Sequence, residues 1–291
     1  MEKTAVKLLI TGCGGFLGSR VAAYYQKKYE VWAPSHSELD FADEGQTNKA
    51  IAEFCPDVVI HCGAISDVTA CSQNPELSMS VNVRGTQYLA RACAQSGARF
   101  VMCSSDQVYF RDRAAGESEE GFLCPHKETE ELFPIPVYGQ HKLLAERLAL
   151  EEQPDSVILR LTWMYGELTQ RELQKGRKNL LTILQEAVQN QRPVTFSATD
   201  YRGVTDVKEV VRNLEAAWKL PAGVYNFGSS NDACMYETVR HVMTAAGCEN
   251  LVQKEEGSAL RNLTMDIGKL ENCGIGFSGT AERILRYVLR I

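Results

Sequence analysis

The sequence offers nothing that would carry it out of a cell or into a membrane. Its first eleven residues hold one apolar run, Val6 to Ile10, broken by Lys7. A signal-peptide core needs roughly seven or more apolar residues and a membrane span about 20, so neither is expected. No block of Lys and Arg stands out, and 31 basic residues face 37 acidic ones, for a net charge of −6. A nucleic-acid surface is therefore not expected. Ten cysteines are present, yet they form no C-x-x-C pair. None has a histidine at metal-ligand spacing, and the five histidines form no H-E-x-x-H. They are expected to be reduced thiols filling small core spaces in a cytoplasmic protein, with no metal centre. There is no internal repeat and no low-complexity tract.

What the sequence has is alternation. Short apolar runs at Ala5 to Ile10, Val31 to Ala33, Val58 to Ile60, Phe100 to Met102 and Val157 to Leu161 read as strands. Between them, Phe16 to Tyr29, Glu44 to Phe54, Pro75 to Ser96 and Tyr138 to Glu151 have helical apolar spacing. Continuous apolar strands between amphipathic helices predict an α/β fold, a Rossmann-type doubly wound parallel sheet. After Gly166 the pattern changes. Glu167 to Lys178 is polar. Asn179 to Val188, Tyr236 to Ala246 and Ala281 to Leu289 read as helices, and Val194 to Phe196 and Val224 to Phe227 as short strands. The expected division is a dinucleotide-binding domain at 1–166, with 205–228 returning to it. A smaller C-terminal substrate-binding domain would comprise 167–204 and 229–291.

The first strand runs into Thr11-Gly12-Cys13-Gly14-Gly15-Phe16-Leu17-Gly18. A tight strand-to-helix turn needs a residue tolerant of positive φ, and a pyrophosphate needs close backbone approach. The unpaired N–H groups at the helix start then hold the anion. Gly12, Gly14, Gly15, Phe16, Leu17 and Gly18 are thus candidate cofactor contacts. An NAD-preferring turn usually ends its second strand on Asp or Glu. Here the residues are Ala33-Pro34-Ser35-His36, with no carboxylate. Ser35 and His36 can donate hydrogen bonds to a 2′-phosphate, which favours NADP(H) over NAD(H), with NAD(H) kept as the alternative cofactor. Asp40, followed by Phe41, is either an adenine contact or a capping aspartate.

Tyr138 and Lys142 lie four apart near a helix start, so both face one side. A nearby ammonium favours the phenolate and would lower the tyrosine pKa. Such a tyrosine can protonate a carbonyl oxygen as hydride reaches its carbon. Ser104 and Ser105, following the strand from Phe100, can supply a hydroxyl to hold the same oxygen, and Asp106 comes next. The spacing alone is weak, because Tyr24 and Lys28 repeat it in the first helix, where they read as a surface pair. His141 reads as structural or exposed, and His61 as a packed strand-end residue. Ser66, Asp67 and Thr69, in the loop after that strand, are candidate substrate contacts.

Taken together, the glycine turn, Leu39-Asp40, Pro56 to Ile60, Val81-Asn82, Ser104 to Tyr109 and Val137 to Lys142 resemble the extended short-chain dehydrogenase/reductases. Among them the pattern is most similar to the dTDP-4-dehydrorhamnose reductases. Arg160 to Gly166, Asp200 to Thr205 and Asp266 to Gly276 extend the resemblance over nearly the whole chain. The resemblance implies NAD(P)H-dependent reduction of a 4-keto sugar nucleotide. Ser105 would hold the substrate oxygen, Tyr138 would be the acid and Lys142 would bind the nicotinamide ribose. Cys62, Gly63 and Ala64 would line the nicotinamide side, with Asn82 below. The C-terminal portion would bind the nucleotide-sugar; Asp106, Gln107, Trp163 and Arg202 are the substrate contacts expected beside Ser105. The pattern leaves a homodimer open.

Three departures stand out, and the first two lie where the sugar would be recognised. Gln107 replaces an aromatic, Ala259-Leu260 stands where Arg-Pro is common, and Val204 replaces a proline. The chain also resembles the regulatory β subunit of methionine adenosyltransferase, which implies a second reading as a non-catalytic NADP-binding partner protein. A 4,6-dehydratase is a weaker fit, since Asp106 is followed by Gln107 rather than Glu, and an epimerase is disfavoured by the lack of an acid at the end of the second strand.

Overall fold

The computed structural model describes residues 6–288. Ala5 and Leu289, expected at the start of the first strand and the end of the last helix, lie outside the described residues. In chain order the elements begin β1 (Lys7–Thr11), α1 (Phe16–Tyr25), β2 (Glu30–Trp32), α2 (Glu44–Phe54), β3 (Val58–His61), α3 (Val68–Gln73), α4 (Pro75–Ser78), α5 (Gly85–Ser96) and β4 (Arg99–Ser105). They continue with α6 (Glu119–Phe122), α7 (Val137–Glu152), β5 (Val157–Leu161), β6 (Trp163–Tyr165), α8 (Gln170–Gln174) and α9 (Leu180–Asn190). Next come β7 (Val194–Ser197), β8 (Asp200–Arg202), β9 (Val204–Asp206), α10 (Val207–Ala217) and β10 (Gly223–Phe227). The last are α11 (Met235–Ala245), β11 (Val252–Glu255), β12 (Arg261–Leu263), α12 (Gly268–Glu271) and α13 (Thr280–Val288).

The chain divides into two compact units. The first runs to Val108 and includes Glu131–Arg160 and Val211–Tyr225. It carries the six-stranded sheet, ordered β10-β5-β4-β3-β1-β2. The pairs β1–β2, β1–β3 and β3–β4 are parallel, with Leu9 opposite both Trp32 and Val59. Buried Leu9, Val59, Phe100, Met102 and Ile158 of the strands pack with Ile51, Leu89 and Ala145 of the helices. This is the Rossmann-type sheet the strand spacing predicts. Local signals set its helix ends. Asp43 accepts from the Gln46 N–H at 2.9 Å to start α2, and Cys55, left-handed at φ 49°, ends it before Pro56.

The apolar spacing predicts one unbroken helix from Pro75 to Ser96. The structure instead inserts a π-helical turn at Met79–Arg84 between α4 and α5. Such a wide turn adds a residue to the helix and turns later side chains to a new face. Here it aims Asn82 inward.

The second unit comprises Tyr109–Glu130, Leu161–Val210 and the described residues from Asn226 on. Its core joins Leu180 and Leu184 of α9, Val239 and Val242 of α11 and Ile284 of α13. Three two-stranded parallel ladders, β7–β11, β8–β12 and β6–β9, lie beside that core. Among the described residues no helix is long and apolar enough to cross a membrane.

Candidate functional site

β1 delivers its chain directly into the glycine turn. Gly12 has φ +74°, and a Cβ there would come within 2.6 Å of Gly63 N. Gly18 faces the Gly12 carbonyl so closely that a Cβ would overlap it. Gly15 caps α1, its N–H donating to Gly12 O at 2.9 Å. Leu17 is buried, and the Phe16 ring lies beneath the Arg20 guanidinium at 3.9 Å. The first turn of α1 carries no acidic residue, so its positive end is not neutralised from within. Gly14 stands open, with nothing within 4 Å of where a Cβ would sit. The turn therefore has the shape and the donors for a phosphate.

The loop after β2 departs from expectation in one respect. The residues at the strand end are uncharged, but Glu38 folds back onto them. Its carboxylate accepts from Ser35 N at 2.8 Å and from Ser35 Oγ at 2.7 Å. These bonds hold the Glu38 carboxyl below its ordinary pKa. An anion thus stands where none was expected, because the turn reverses the chain within three residues. His36 lies 3.9 Å from Asp40, whose carboxylate also accepts from Ala42 N at 3.0 Å. Phe41 packs edge-on against His61, with ring centroids 5.0 Å apart.

From Gly12 a short path of contacts leads to the tyrosine and lysine. Gly12 abuts Cys62 and Gly63. Cys62 Sγ lies 3.7 Å from Cys103 Sγ, and the Cys103 carbonyl accepts from Lys142 Nζ at 2.6 Å. Tyr138 and Lys142 are both buried on one stripe of α7. Ser105, at the end of β4, acts on Tyr138 as a hydrogen-bonding neighbour. It also donates to Asp106 Oδ1 at 3.1 Å. The expected acidified phenol is not found. Burial raises the Tyr138 pKa, Ser105 lowers it and Asp106 raises it again, leaving it well above its ordinary value. The reason is desolvation of a phenolate, together with a Lys142 ammonium turned to a carbonyl. Burial also lowers the Lys142 pKa, against raising contributions from Cys103 and Glu146.

His61 is packed, as expected of a strand-end histidine. Its Nδ1 lies 2.7 Å from Thr11 Oγ1 and its Nε2 2.9 Å from Thr86 Oγ1. Burial, and then the charge of Lys142, lower its pKa from 6.5 to about 3. Unfolding restores the ordinary value, so the unfolded chain binds the extra proton between these two limits. Stability from this group is complete above about pH 6.5 and falls as pH drops toward about 3. Urea unfolding followed across that window should show a shallower loss in His61→Asn than in the wild type. Parallel slopes would remove His61 as the cause.

Asn82 reads out the π turn. Its amide accepts from Ile65 N at 2.8 Å and donates to Ile65 O at 2.9 Å, so it holds the loop of Gly63, Ala64 and Ser66 by the backbone. His141 is buried beside Ser78, 2.8 Å from its hydroxyl. Asp67 caps α3, accepting from Ala70 N at 2.8 Å. Gln107 is buried and donates to Asp106 at 3.4 Å. Tyr24 and Lys28 stack at 5.1 Å, with Lys28 also paired to Glu215 at 3.1 Å.

Trp163 and Arg202 come together in the second unit, the guanidinium 5.4 Å from the indole centre. They line a cavity of about 580 Å³ with Phe110, Phe196, Asp200 and Arg261. Arg261 holds Asp200 through two bonds of 2.8 and 2.6 Å. Arg261 and Glu146 were not singled out from the sequence; Asp200 and Arg160 entered only as parts of longer motifs, and Ser104 only as a strand-end hydroxyl beside Ser105. Glu146 had a readable signal, because it continues the Tyr138, Lys142 stripe by four residues. Its partners on separate strands had none.

Residues 6–263 match the family model described as RmlD substrate binding domain. The chain is 35% identical over 166 residues to dTDP-4-dehydrorhamnose reductase of Mycobacterium tuberculosis (strain CDC 1551 / Oshkosh), covering 57% of this chain and 52% of that protein. It thus spans about half the length of that relative. It is 28% identical to methionine adenosyltransferase 2 subunit beta of Xenopus laevis, over 93% of this chain and 83% of that one. Among solved structures, dTDP-4-dehydrorhamnose reductase of Bacillus anthracis superposes with a TM-score of 0.84 over the whole of both chains at 19% identity.

Proposed function

The chain belongs to the RmlD substrate binding domain family, and on that premise we propose that it is an oxidoreductase of the extended short-chain dehydrogenase/reductase kind that reduces the keto group of a nucleotide-linked 4-keto sugar. The observation that carries this reading is the path from the glycine turn through Cys62 and Cys103 to Lys142, with Tyr138 and Ser105 beside it. NADP(H) is the preferred cofactor and NAD(H) the alternative. The Bacillus anthracis structure is of a complex with NADP, which supports that choice.

The residues present fit a dinucleotide. Gly12 and Gly18 let the turn close tightly on Gly63 and on itself, Gly14 leaves open space beside it, and the start of α1 has no acidic residue to neutralise its N–H groups. When bound, the nicotinamide supplies the hydride. Ser105 orients the carbonyl oxygen by donating a hydrogen bond. Tyr138 is the proton donor to that oxygen. Burial, by raising the phenol's pKa, works against release of that proton, and Ser105, which favours the phenolate, works for it. Lys142 binds the ribose hydroxyls with a buried ammonium. The second unit's cavity, with Trp163 for stacking and Arg202 for charge, takes the nucleotide-sugar.

Glu38 gives a test of the cofactor end. Its carboxylate opposes a 2′-phosphate near Ser35, so Glu38→Ala should tighten NADPH binding by about 3–10-fold and leave NADH binding unimproved. Fluorescence titration of both cofactors measures this, and equal changes for the two would refute it. The function itself is tested by following NADPH oxidation with dTDP-4-keto-6-deoxysugars.

The second reading is a non-catalytic NADP-binding regulatory subunit. The length of the match to the methionine adenosyltransferase β subunit favours it, 93% of this chain against 57% for the mycobacterial reductase. Tight NADPH binding without turnover on a broad keto-sugar panel, with a stoichiometric protein partner, would establish it instead.

A further inference from the structure

One deeply buried ionic group takes no part in the chemistry above. The Glu146 and Arg160 side chains are 3% and 4% exposed. The Glu146 carboxylate accepts from Arg160 Nη2 at 2.7 Å, from its Nε at 3.1 Å and from the Ser104 hydroxyl. Burying such a pair in place of packed apolar side chains brings no stability of its own. Its location supplies the reason.

Glu146 lies one helical turn beyond Lys142, on the stripe of α7 that begins at Tyr138. Three successive residues of β4 meet that stripe. The Cys103 carbonyl accepts from Lys142, the Ser104 hydroxyl donates to Glu146, and the Ser105 hydroxyl addresses Tyr138. Arg160, on β5, closes the carboxylate from the other side. The groups acting electrostatically on Lys142 are, largest first, Cys103 of β4, Glu146 from its own helix, Cys62 beyond β3 and Cys71 of α3, while His61 of β3 feels the Lys142 charge. His61 is held neutral by burial, and the Cys62 thiol is pushed up, so neither is charged at neutral pH. Glu146 is the carboxylate in this set.

We propose that Glu146 is a positioning residue for Lys142: anchored by Arg160 and Ser104, it holds α7 in register with the end of β4 and supplies the negative charge that keeps the buried Lys142 amine protonated. The proposal rests on the reductase reading only for what Lys142 does with the cofactor. The clamp itself belongs to the ligand-free chain. A desolvated ammonium beside a carboxylate is stabilised far more than one in water, and the charge of a nearby guanidinium works in the opposite sense.

The test is an NMR titration of the ligand-free protein labelled with [ε-13C]lysine, using Lys142→Arg to assign the signal. Glu146→Gln should move the Lys142 midpoint down by about one pH unit or more, and Arg160→Gln should move it up. Either variant that folds decides by the sign of its shift. The double variant Glu146→Gln/Arg160→Met removes both charges of the pair at once, and it should also move the midpoint down. A purely structural pair would leave the double variant's midpoint at the wild-type value, or shift both single variants the same way. Each of those results overturns the proposal. NADPH affinity measured from about pH 6 to about pH 9 should weaken with rising pH at least tenfold more in Glu146→Gln than in the wild type. A wild type that turns over no keto-sugar would sink the reductase reading and leave the lysine titration standing.

Discussion

Replacing Tyr138 with phenylalanine is expected to lower kcat for keto-sugar reduction by about 10²–10⁴-fold, the range one positioned proton donor commonly supplies. The ring is buried, so its packing survives the change and the loss falls on the hydroxyl. That hydroxyl has Ser105 as its neighbour. NADPH affinity should stay within about twofold of the wild type, because the phenol oxygen is assigned to the substrate and not to the phosphates. Steady-state NADPH oxidation gives the first quantity and fluorescence titration the second. Undiminished kcat in the variant would take Tyr138 out of the mechanism.

Gly12→Ala should have the second large effect, through shape and not chemistry. The position has φ +74°, which for alanine costs on the order of 1–3 kcal/mol. The added methyl would also meet Cys62 C at 2.7 Å and Gly63 N at 2.6 Å, both backbone atoms with little room to yield. Those atoms lead on to Cys103 and Lys142, so the displacement reaches the candidate catalytic groups as well as the turn. NADPH binding should weaken by roughly 100-fold or more, or the chain should unfold at markedly lower urea. Gly14→Ala is the control. Nothing lies within 4 Å of its new methyl, and its stability should stay within about 0.5 kcal/mol of the wild type. Equal behaviour of the two variants would mean that close approach at Gly12 does not matter.

What could be read beforehand followed from how local each signal was. The glycine turn, the six strands and the Tyr138–Lys142 pair lie within spacings of a few residues, and helix or strand period exposes them directly. Glu44–Phe54 and Val157–Leu161 were placed to the residue, because a capping aspartate marks the first and a short, mostly apolar Val-Ile-Leu-Arg-Leu run the second. The Glu38 carboxylate escaped because it acts on Ser35 only after the chain turns. The phenol's raised pKa escaped because spacing brings in Lys142 but says nothing of desolvation. β6, β8, β9 and β12 are three residues each, too short to show a period of two. Ser104 and Arg160 meet Glu146 only through tertiary packing, which no single-chain pattern encodes.

The wide turn at Met79–Arg84 leaves a mark on chain length. It holds one residue more than an ordinary α-helix would use to join α4 to α5. Deleting a residue there would regularise the helix and swing the Asn82 amide by about 100° around its axis, off Ile65. A relative that aligns to this segment with a one-residue gap has therefore traded its grip on the neighbouring loop for a smoother helix.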